Sequence, residues 1–306
     1  MVAYLFAGQG SQYLGMGQEL YQAFPESRAV FDKANAALGF NLKEKCFSGP
    51  EHMLKLTNIS QPAILTVSIA ALEAFKTAFS SNLPAPSFFA GLSLGEYTAL
   101  IAAGSLTFED GLKLVRKRAE IMNEAALRHP GKMAAVIDLP VEQIKDICLK
   151  NGAEIANLNC PGQSVISGEA ETVEKASALC LEAGAKRVIP LEVSGAFHSS
   201  LMFDASGDLK LFLNNVSISA PTAPVVSNYT ARPEYRASDI RENLVYQMYS
   251  AVKWEDSVRF MLAQGVNKFY EFGPGKVLKG LMRKIEPGVE IISIEKKEDI
   301  LALKGA

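Results

Sequence analysis

The sequence predicts an α/β protein in which a larger body, built on a parallel sheet, carries an inserted smaller subdomain of element order βαββαβ. Strand-like apolar runs alternate with helix-like segments along most of the 306 residues, a pattern typical of a parallel sheet covered by helices. Glycine-rich turns follow the strand-like runs at residues 2–6 and 87–90. Between residues 133 and 191 the order is strand, helix, two strands, helix and strand.

Composition argues against several classes of function. With 48% hydrophobic residues, 21% charged residues and a net charge of -2, the chain lacks the overall basicity that holds nucleic acid. No run approaches the ~18 apolar residues of a membrane span, and no basic region precedes a long apolar segment at the start. We therefore expect a cytoplasmic monomer without nucleic-acid or membrane partners. The cysteines are too far apart for a CxxC pair, so we expect buried thiols and neither metal nor cofactor: Cys46, Cys148, Cys160 and Cys180.

The first strand, Val2 to Phe6, leads into the turn AGQGSQYLGMG, whose glycines leave backbone amides exposed. Its spacing is not GxGxxG, and a dinucleotide loop would also need an acidic residue at the end of the next strand, so that interpretation is the weaker alternative. The segment SQPAILTVSIAALEAF then predicts a helix that Ser60 caps, that has Pro62 in its first turn and that continues through Phe75.

The stretch FFAGLSLGEYTAL, residues 88–100, contains the motif GxSxG between a predicted strand at 87–90 and a predicted helix at 96–103. At so sharp a turn the backbone crowds its neighbours, and the glycines on either side of Ser93 relieve that crowding. The serine hydroxyl would be exposed at the end of a strand, and the amide of Leu94 would point to where an oxyanion develops. The motif predicts a nucleophile on an α/β-hydrolase-like core; a plain turn is the alternative.

Thr107 and Asp110 resemble a helix cap and predict a helix that runs to about Ala126. At ~100° per residue, one face of this helix is apolar and the other charged. Arg118 falls within the apolar face, where an unpaired cation would be costly. The residue pattern leaves two possibilities open. Arg118 forms a structural ion pair, or it binds a substrate carboxylate with both oxygens in plane.

Residues 133–191 divide into the segments MAAVIDL, VEQIKDICLKNG, EIANLN, SVISG, ETVEKASALCLEAG and KRVIPL, in the order strand, helix, strand, strand, helix, strand. This order predicts a ferredoxin-like subdomain over residues 128–194. It would interrupt a large domain formed by residues 1–127 and 195–306. We expect the cleft between the two domains to be the ligand site.

A nucleophilic serine needs a base, and the chain offers three histidines. His52 lies in a polar connection, and His129 precedes Pro130 at the frayed end of a helix. His198, in VSGAFHSSLM, follows a strand and precedes a predicted helix start, so its imidazole can reach a neighbouring strand end. We therefore predict His198 as the base. The large domain then continues through PVVSN, a helix at 239–249 and the strand of VNKFYEFGPG.

These residues resemble the malonyl-CoA:acyl-carrier-protein transacylases of fatty-acid synthesis and the related acyltransferases of polyketide synthases. The likeness covers roughly residues 2–292, and the motifs occur in the family's order: FAGQGSQ, ISQPAIL, GLSLGEY, KRAEIM, NLNCPGQ, SGAFHSSLM, LVYQMYSAVKW and EFGPGKVLKGLM. The resemblance implies a ping-pong transfer of a malonyl group from malonyl-CoA to the phosphopantetheine thiol of acyl carrier protein, through an acyl-serine.

The resemblance also implies a role for each site residue. Ser93 and His198 would be nucleophile and base, and Arg118 would hold the malonyl carboxylate. Gln9 and Leu94 would supply oxyanion amides, Gln61 and Phe197 would line the substrate pocket with Phe197 disfavouring methylmalonyl, and Gln247 would orient His198 through its backbone carbonyl. Leu92 departs from the family, which usually has histidine there; that histidine is not the base, so the departure concerns the packing of the turn.

The carrier protein is acidic in this family, so a basic docking surface is expected. Lys276, Lys279 and Arg283 would share a helical face, and Lys186 with Arg187 forms a second cluster. A solvated charged face is the alternative for both. For the whole chain, two other functions remain open: a hydrolase that removes acyl groups from carrier proteins of polyketide synthesis, and a non-catalytic module that binds carrier protein.

Overall fold

The computed structural model describes residues 1–80 and 84–304. The strands are β1 (Val2–Phe6), β2 (Phe88–Gly91), β3 (Gly131–Ile137), β4 (Glu154–Cys160), β5 (Gln163–Glu169), β6 (Arg187–Pro190), β7 (Val225–Val226), β8 (Pro233–Glu234), β9 (Val252–Lys253), β10 (Lys268–Phe272) and β11 (Glu290–Ile294). The helices are α1 (Gln18–Ala23), α2 (Pro25–Leu38), α3 (Leu42–Phe47), α4 (Thr57–Ala78), α5 (Leu94–Ala102), α6 (Phe108–Arg128), α7 (Val141–Asn151), α8 (Ala170–Glu182), α9 (Phe203–Leu213), α10 (Ala237–Tyr249), α11 (Trp254–Ala263), α12 (Val277–Ile285) and α13 (Lys297–Lys304). The predicted α/β class is confirmed, with mixed sheets.

The larger sheet has the strand order β11-β10-β1-β2-β7-β8. Its strands pair in parallel from β11 to β7, and the edge strand β8 is antiparallel to β7. Strand β1 lies inside this sheet between two hydrophobic cores: Tyr4 and Phe6 belong to one core, and Ala3 and Leu5 to the other. A strand buried on both faces reads as a continuous apolar run, which is why VAYLF was recognisable from the sequence.

The second sheet has the order β6-β3-β5-β4-β9. Strand β3 is antiparallel to both β5 and β6, and β4 is antiparallel to β5. Helices α7 and α8 contribute Ile144, Cys148, Val173 and Cys180 to a third hydrophobic core against this sheet. The edge strand β9 comes from far downstream and pairs in parallel with β4, Leu158 opposite Lys253. The later part of the chain is thereby joined to the smaller sheet.

Helix α4 begins at Thr57, so the predicted cap at Ser60 is wrong. The N–H groups of Ile59 and Ser60 already donate to the carbonyl of Leu56, which closes the first turn three residues earlier. Pro62 consequently lies inside the helix. The cap predicted for α6 is confirmed, because the Thr107 hydroxyl accepts from the Asp110 N–H at 3.1 Å.

Two further observations concern the described ranges 1–80 and 84–304. No helix there combines the length and the apolar character needed to cross a membrane. No three His, Cys, Asp or Glu side chains within those ranges are grouped in a way that could hold a metal ion.

Candidate active site

The turn between β2 and α5 is tightly packed and places Ser93 in an unusual backbone conformation, with φ 52° and ψ -100°. A Cβ atom at Gly91 would collide with the backbone of Gly95, and one at Gly95 would collide with the carbonyl oxygen of Phe6. Both flanking positions therefore require glycine for steric reasons. The strand, turn and helix predicted around GxSxG are present, and Ser93 lies immediately before the first residue of α5.

Ser93 and His198 are brought together from 105 residues apart, with 2.8 Å between Ser93 Oγ and His198 Nε2. The other ring nitrogen, Nδ1, lies 2.8 Å from the backbone carbonyl oxygen of Gln247. A carbonyl can only accept, so Nδ1 carries the hydrogen and Nε2 is left to accept from the serine hydroxyl. Burial, and then the positive charge of Arg118, lowers the pKa of His198 to about 4. The imidazole is therefore neutral at pH 7, as a base must be.

Neither of the other histidines reaches this pair. His52 is exposed in a short 3-10 turn at Glu51–Lys55, and His129 is exposed at the end of α6.

Arg118 is completely buried. Its Nη1 donates to Gln61 Oε1 at 2.9 Å, and its Nη2 donates to Ser93 Oγ at 3.0 Å and to Gln247 Oε1 at 3.1 Å. The guanidinium carbon lies 5.1 Å from the centre of the Tyr97 ring. Among the described residues, no carboxylate oxygen lies within 4.0 Å of the guanidinium. Its direct partners are neutral, so the predicted alternative of a structural ion pair is not what the fold contains.

The remaining predicted site residues lie around Ser93, His198 and Arg118. Gln61 donates to Gln9 Oε1 at 3.1 Å, which ties the turn after β1 to helix α4. Leu94 is buried at the start of α5, and Phe197 is buried next to His198. Within the described chain, the backbone N–H groups of Gln9 and Leu94 make no intramolecular hydrogen bond.

A cleft of about 430 Å³ leads to Ser93 and His198 between the two sheets. The larger body contributes Gln9, Leu92, Met122, Phe197 and Leu281 to its walls, and the smaller sheet contributes Met133, Asn157, Asn159, Gln163 and Val165. The fold thus has a cleft between the two sheets, and its use as the ligand site stays a prediction. Leu92, which stands where the family usually has histidine, lines this cleft and packs against the core that contains Ala3 and Leu5. The hydrogen bond between Ser93 and His198 is present although that family histidine is replaced by leucine.

Comparison with known proteins shows the family of the chain. The acyl transferase domain family matches residues 3–285. The malonyl CoA-acyl carrier protein transacylase of Bacillus subtilis is 47% identical over 304 residues, covering 98% of this chain and 95% of that protein. The chain belongs to the malonyl CoA-acyl carrier protein transacylase family.

Solved structures of family members have the same fold as this transacylase. An acyl carrier protein S-malonyltransferase from Vibrio cholerae superposes with a TM-score of 0.94 at 37% identity, covering 99% of each chain. A malonyl-transacylase solved in complex with a type II polyketide synthase acyl-carrier protein superposes with a TM-score of 0.95 at 38% identity, covering 100% of this chain and 99% of that one. The resemblance predicted from the motifs is confirmed.

Two residues that were not predicted from the sequence, Asn228 and Glu96, contact Ser93 and Gln247 of this transacylase. Asn228 accepts from the Ser93 N–H at 2.6 Å and donates to the Gly91 carbonyl at 2.8 Å, so it bridges the serine turn. Glu96 is fully buried, and its Oε2 accepts from Gln247 Nε2 at 2.7 Å and from the Asn228 N–H at 3.0 Å. A signal for Glu96 was available: it is a charged residue in the otherwise apolar helix α5, as Arg118 is on the apolar face of α6.

The predicted basic cluster of Lys276, Lys279 and Arg283 lies on and beside α12. Lys276 and Arg283 are exposed, and Lys279 is half-buried. Val277 and Leu281 of the same helix line the cleft, so this basic cluster borders the entrance to the transacylase site.

Proposed function

We propose that this transacylase moves a malonyl group from malonyl-CoA to the phosphopantetheine thiol of an acyl carrier protein through an acyl-Ser93 intermediate. The observation that carries the proposal is the Arg118 guanidinium, which is buried with neutral partners and lies 3.0 Å from the Ser93 hydroxyl. A cation held in this way, at the position where an acyl group would be attached, suits an acyl group that ends in a carboxylate.

In the first half-reaction, Ser93 Oγ attacks the thioester carbonyl while His198 Nε2 takes its proton. The Gln247 carbonyl, bonded to Nδ1–H, stabilises the imidazolium that forms. The backbone N–H groups of Gln9 and Leu94 would donate to the developing oxyanion. When the intermediate collapses, the C–S bond breaks and the imidazolium returns its proton to the departing sulfur of coenzyme A.

In the second half-reaction the thiol of the carrier protein attacks the acyl-serine ester, and His198 again takes and then returns one proton. Ser93 Oγ leaves as the hydroxyl, and the malonyl thioester of the carrier protein departs. Arg118 acts in both halves: its planar fork can bond both oxygens of the malonyl carboxylate. Its charge beside Oγ also favours the negative charge that develops on that oxygen during attack.

The comparisons give no support to the alternative of a carrier-protein thioester hydrolase, since the compared proteins are transacylases and a malonyltransferase. Arg118 argues the same way, because a scavenger of uncharged acyl chains gains nothing from a buried cation. A module that only binds carrier protein would have no need of a serine and an imidazole at hydrogen-bonding distance.

Mass spectrometry after brief exposure to malonyl-CoA tests the proposal. We expect a malonyl adduct on Ser93 that persists in buffer, is discharged by carrier protein bearing phosphopantetheine, and is absent from Ser93→Ala. An adduct that water removes as fast as carrier protein does would identify a hydrolase. If the parent protein with Ser93 forms no adduct, the remaining function would be a non-catalytic module that binds carrier protein.

The proposal includes the domain organisation: an α/β-hydrolase-like large domain of residues 1–127 and 195–306, and a ferredoxin-like small domain of residues 128–194. The strand order β6-β3-β5-β4 with α7 and α8 packed against the sheet supports this division. Strand β9 would then be the large domain's contribution to the small sheet.

Three further predictions complete the proposal. Phe197, buried beside His198, would disfavour the branched methylmalonyl group, so we expect malonyl to be preferred. We expect a cytoplasmic location, which the buried free thiols support. We also predict a monomer.

A further inference from the structure

We propose that Glu96 is a positioning residue of the acyl-transfer site, and that its Oε2 atom fixes the side-chain amide of Gln247 and thereby the direction in which Arg118 points. The inference rests on the proposed function, in which Arg118 binds the malonyl carboxylate. Glu96 does not touch the substrate in this scheme; it acts through Gln247.

The two ends of the Gln247 side-chain amide face different partners. Its Nε2 donates to Glu96 Oε2 at 2.7 Å and to the Ser93 carbonyl at 3.0 Å. Both of these oxygens accept, so the amide nitrogen has to face them. The amide oxygen is thereby turned the other way, where it accepts from Arg118 Nη2 at 3.1 Å.

A rotated amide would place the NH₂ group of Gln247 against the guanidinium, with donor facing donor. Arg118 would lose one of its three neutral acceptors and could turn away from the position in which it meets a carboxylate. The Ser93 carbonyl also favours the observed orientation. The bond to Glu96 is the shorter of the two, so we expect it to be the stronger.

The same carboxylate oxygen also holds the serine turn. Asn228, whose backbone N–H donates to Glu96 Oε2, uses its side chain to bridge the Gly91 carbonyl and the Ser93 N–H. One buried oxygen on α5 thus joins α10 to the loop after β7. A shift of this oxygen would disturb both the Gln247 oxygen that accepts from Arg118 and the serine turn. The first effect would weaken acylation by substrates whose acyl group carries a carboxylate, and the second would weaken acylation by every substrate.

Glu96→Gln and Glu96→Asp separate the position of the oxygen from its charge. In Glu96→Gln the side-chain amide oxygen can occupy the place of Oε2 and accept both bonds without a charge. Glu96→Asp keeps the charge but withdraws the oxygen by one methylene. The readout is the ratio of kcat/KM for acylation by malonyl-CoA to that by acetyl-CoA, because defects in Ser93 or His198 affect both substrates and cancel.

We expect Glu96→Asp to lower this ratio by about 10-fold, as loss of one buried hydrogen bond would, and Glu96→Gln, whose amide oxygen keeps the bond, to keep the ratio within about 3-fold of the parent. The proposal is overturned if Glu96→Asp keeps the parent ratio, or if Glu96→Gln loses as much as Glu96→Asp. Should Glu96→Asp fail to fold, Glu96→Met fills a similar volume without an acceptor and must show the same fall.

Arg118→Met, measured in parallel, distinguishes failure of the proposed role of Arg118 from failure of the proposed role of Glu96. If Arg118→Met retains the preference for malonyl-CoA, the proposed function of Arg118 fails. If Arg118→Met abolishes the preference and Glu96→Asp leaves it unchanged, the role of Glu96 alone is refuted.

Discussion

Replacement of Arg118 by methionine gives the sharpest test of the site, because it removes the buried charge and leaves an unbranched apolar side chain. Two charge-assisted hydrogen bonds to the malonyl carboxylate, at about 1.5–3 kcal/mol each, correspond to a loss of about 10²- to 10⁴-fold in kcat/KM for malonyl-CoA. Acetyl-CoA lacks that carboxylate, so its acylation should lose only what the guanidinium contributes beside Ser93 Oγ, about 10-fold for one hydrogen bond to a charged group.

The same substitution should not weaken the fold severely. Arg118→Met leaves the acceptor oxygens of Gln61 and Gln247 without their donor, at about 1–3 kcal/mol each. It also removes a buried guanidinium whose direct partners are neutral, and the effective desolvation penalty of such an ion is several kcal/mol. The two effects oppose each other and are of similar size, so we expect a melting temperature close to that of the parent.

The assay is single-turnover acylation followed by mass spectrometry with each thioester, alongside thermal unfolding in the absence of substrate. Arg116→Met is the matched control: Arg116 lies on the same helix, is half-exposed and pairs with Glu120 at 3.0 Å. We expect this control to leave both substrates unchanged. Equal losses with malonyl- and acetyl-CoA in a folded Arg118→Met would refute the reasoning, since the arginine would then serve the reaction and not the carboxylate.

Four other outcomes follow from the structure. Because burial lowers the pKa of His198 from 6.5 to about 4, acylation should keep its rate down to about pH 5, and a loss centred near 6.5 would contradict this environment. The unfolded chain takes up that proton first, so His198 should make the unfolding free energy fall as pH drops from 6.5 to about 4, which denaturant titrations on parent and His198→Gln would measure. Gly95→Ala, whose Cβ would collide with backbone, should abolish acylation or folding, whereas Gly280→Ala, with no atom within 4 Å, should leave both intact. Lys276→Glu with Arg283→Glu should slow transfer to carrier protein by about 10-fold at low salt, less at high salt, and spare the acylation half-reaction; equal rates at low salt would remove the docking hypothesis.

Features set by short segments were predictable from the sequence. The turn at Ser93 follows from local sterics, because residues at Gly91 and Gly95 would need a Cβ where backbone already lies. Arg118 was recognisable because helical periodicity assigns it to the buried face, and the structure buries it completely. The choice of His198 followed from the small number of histidines together with its position after a strand.

Contacts between distant segments that carry no local pattern were not predictable. Strand β9 is two residues long and carries no pattern of its own, and it exists because it pairs with β4. Asn228 and Gln247 meet at Glu96 from segments more than 130 residues downstream of it, and no local pattern encodes that meeting. The cap at Ser60 was wrong because burial of α4 from Thr57 to Phe75 extends the helix past the residue that local preference selects.

The arrangement around Arg118 explains how a buried cation can remain available to a substrate. Gln61, Gln247 and Ser93 accept three hydrogen bonds from it without neutralising its charge, and its buried Nε has no partner among the described residues. A carboxylate in direct contact, at about 4 Å, would attract the guanidinium by about 4 kcal/mol at an effective dielectric constant of about 20, and the malonyl carboxylate would have to displace it. Glu96 stands behind Gln247, where the attraction is roughly halved if the separation is doubled. Burial raises the pKa of Glu96 to about 7, so its carboxyl group is only partly ionised near neutral pH and does not contact the guanidinium directly. The carboxylate of a bound acyl group would therefore be the first direct anionic partner of Arg118.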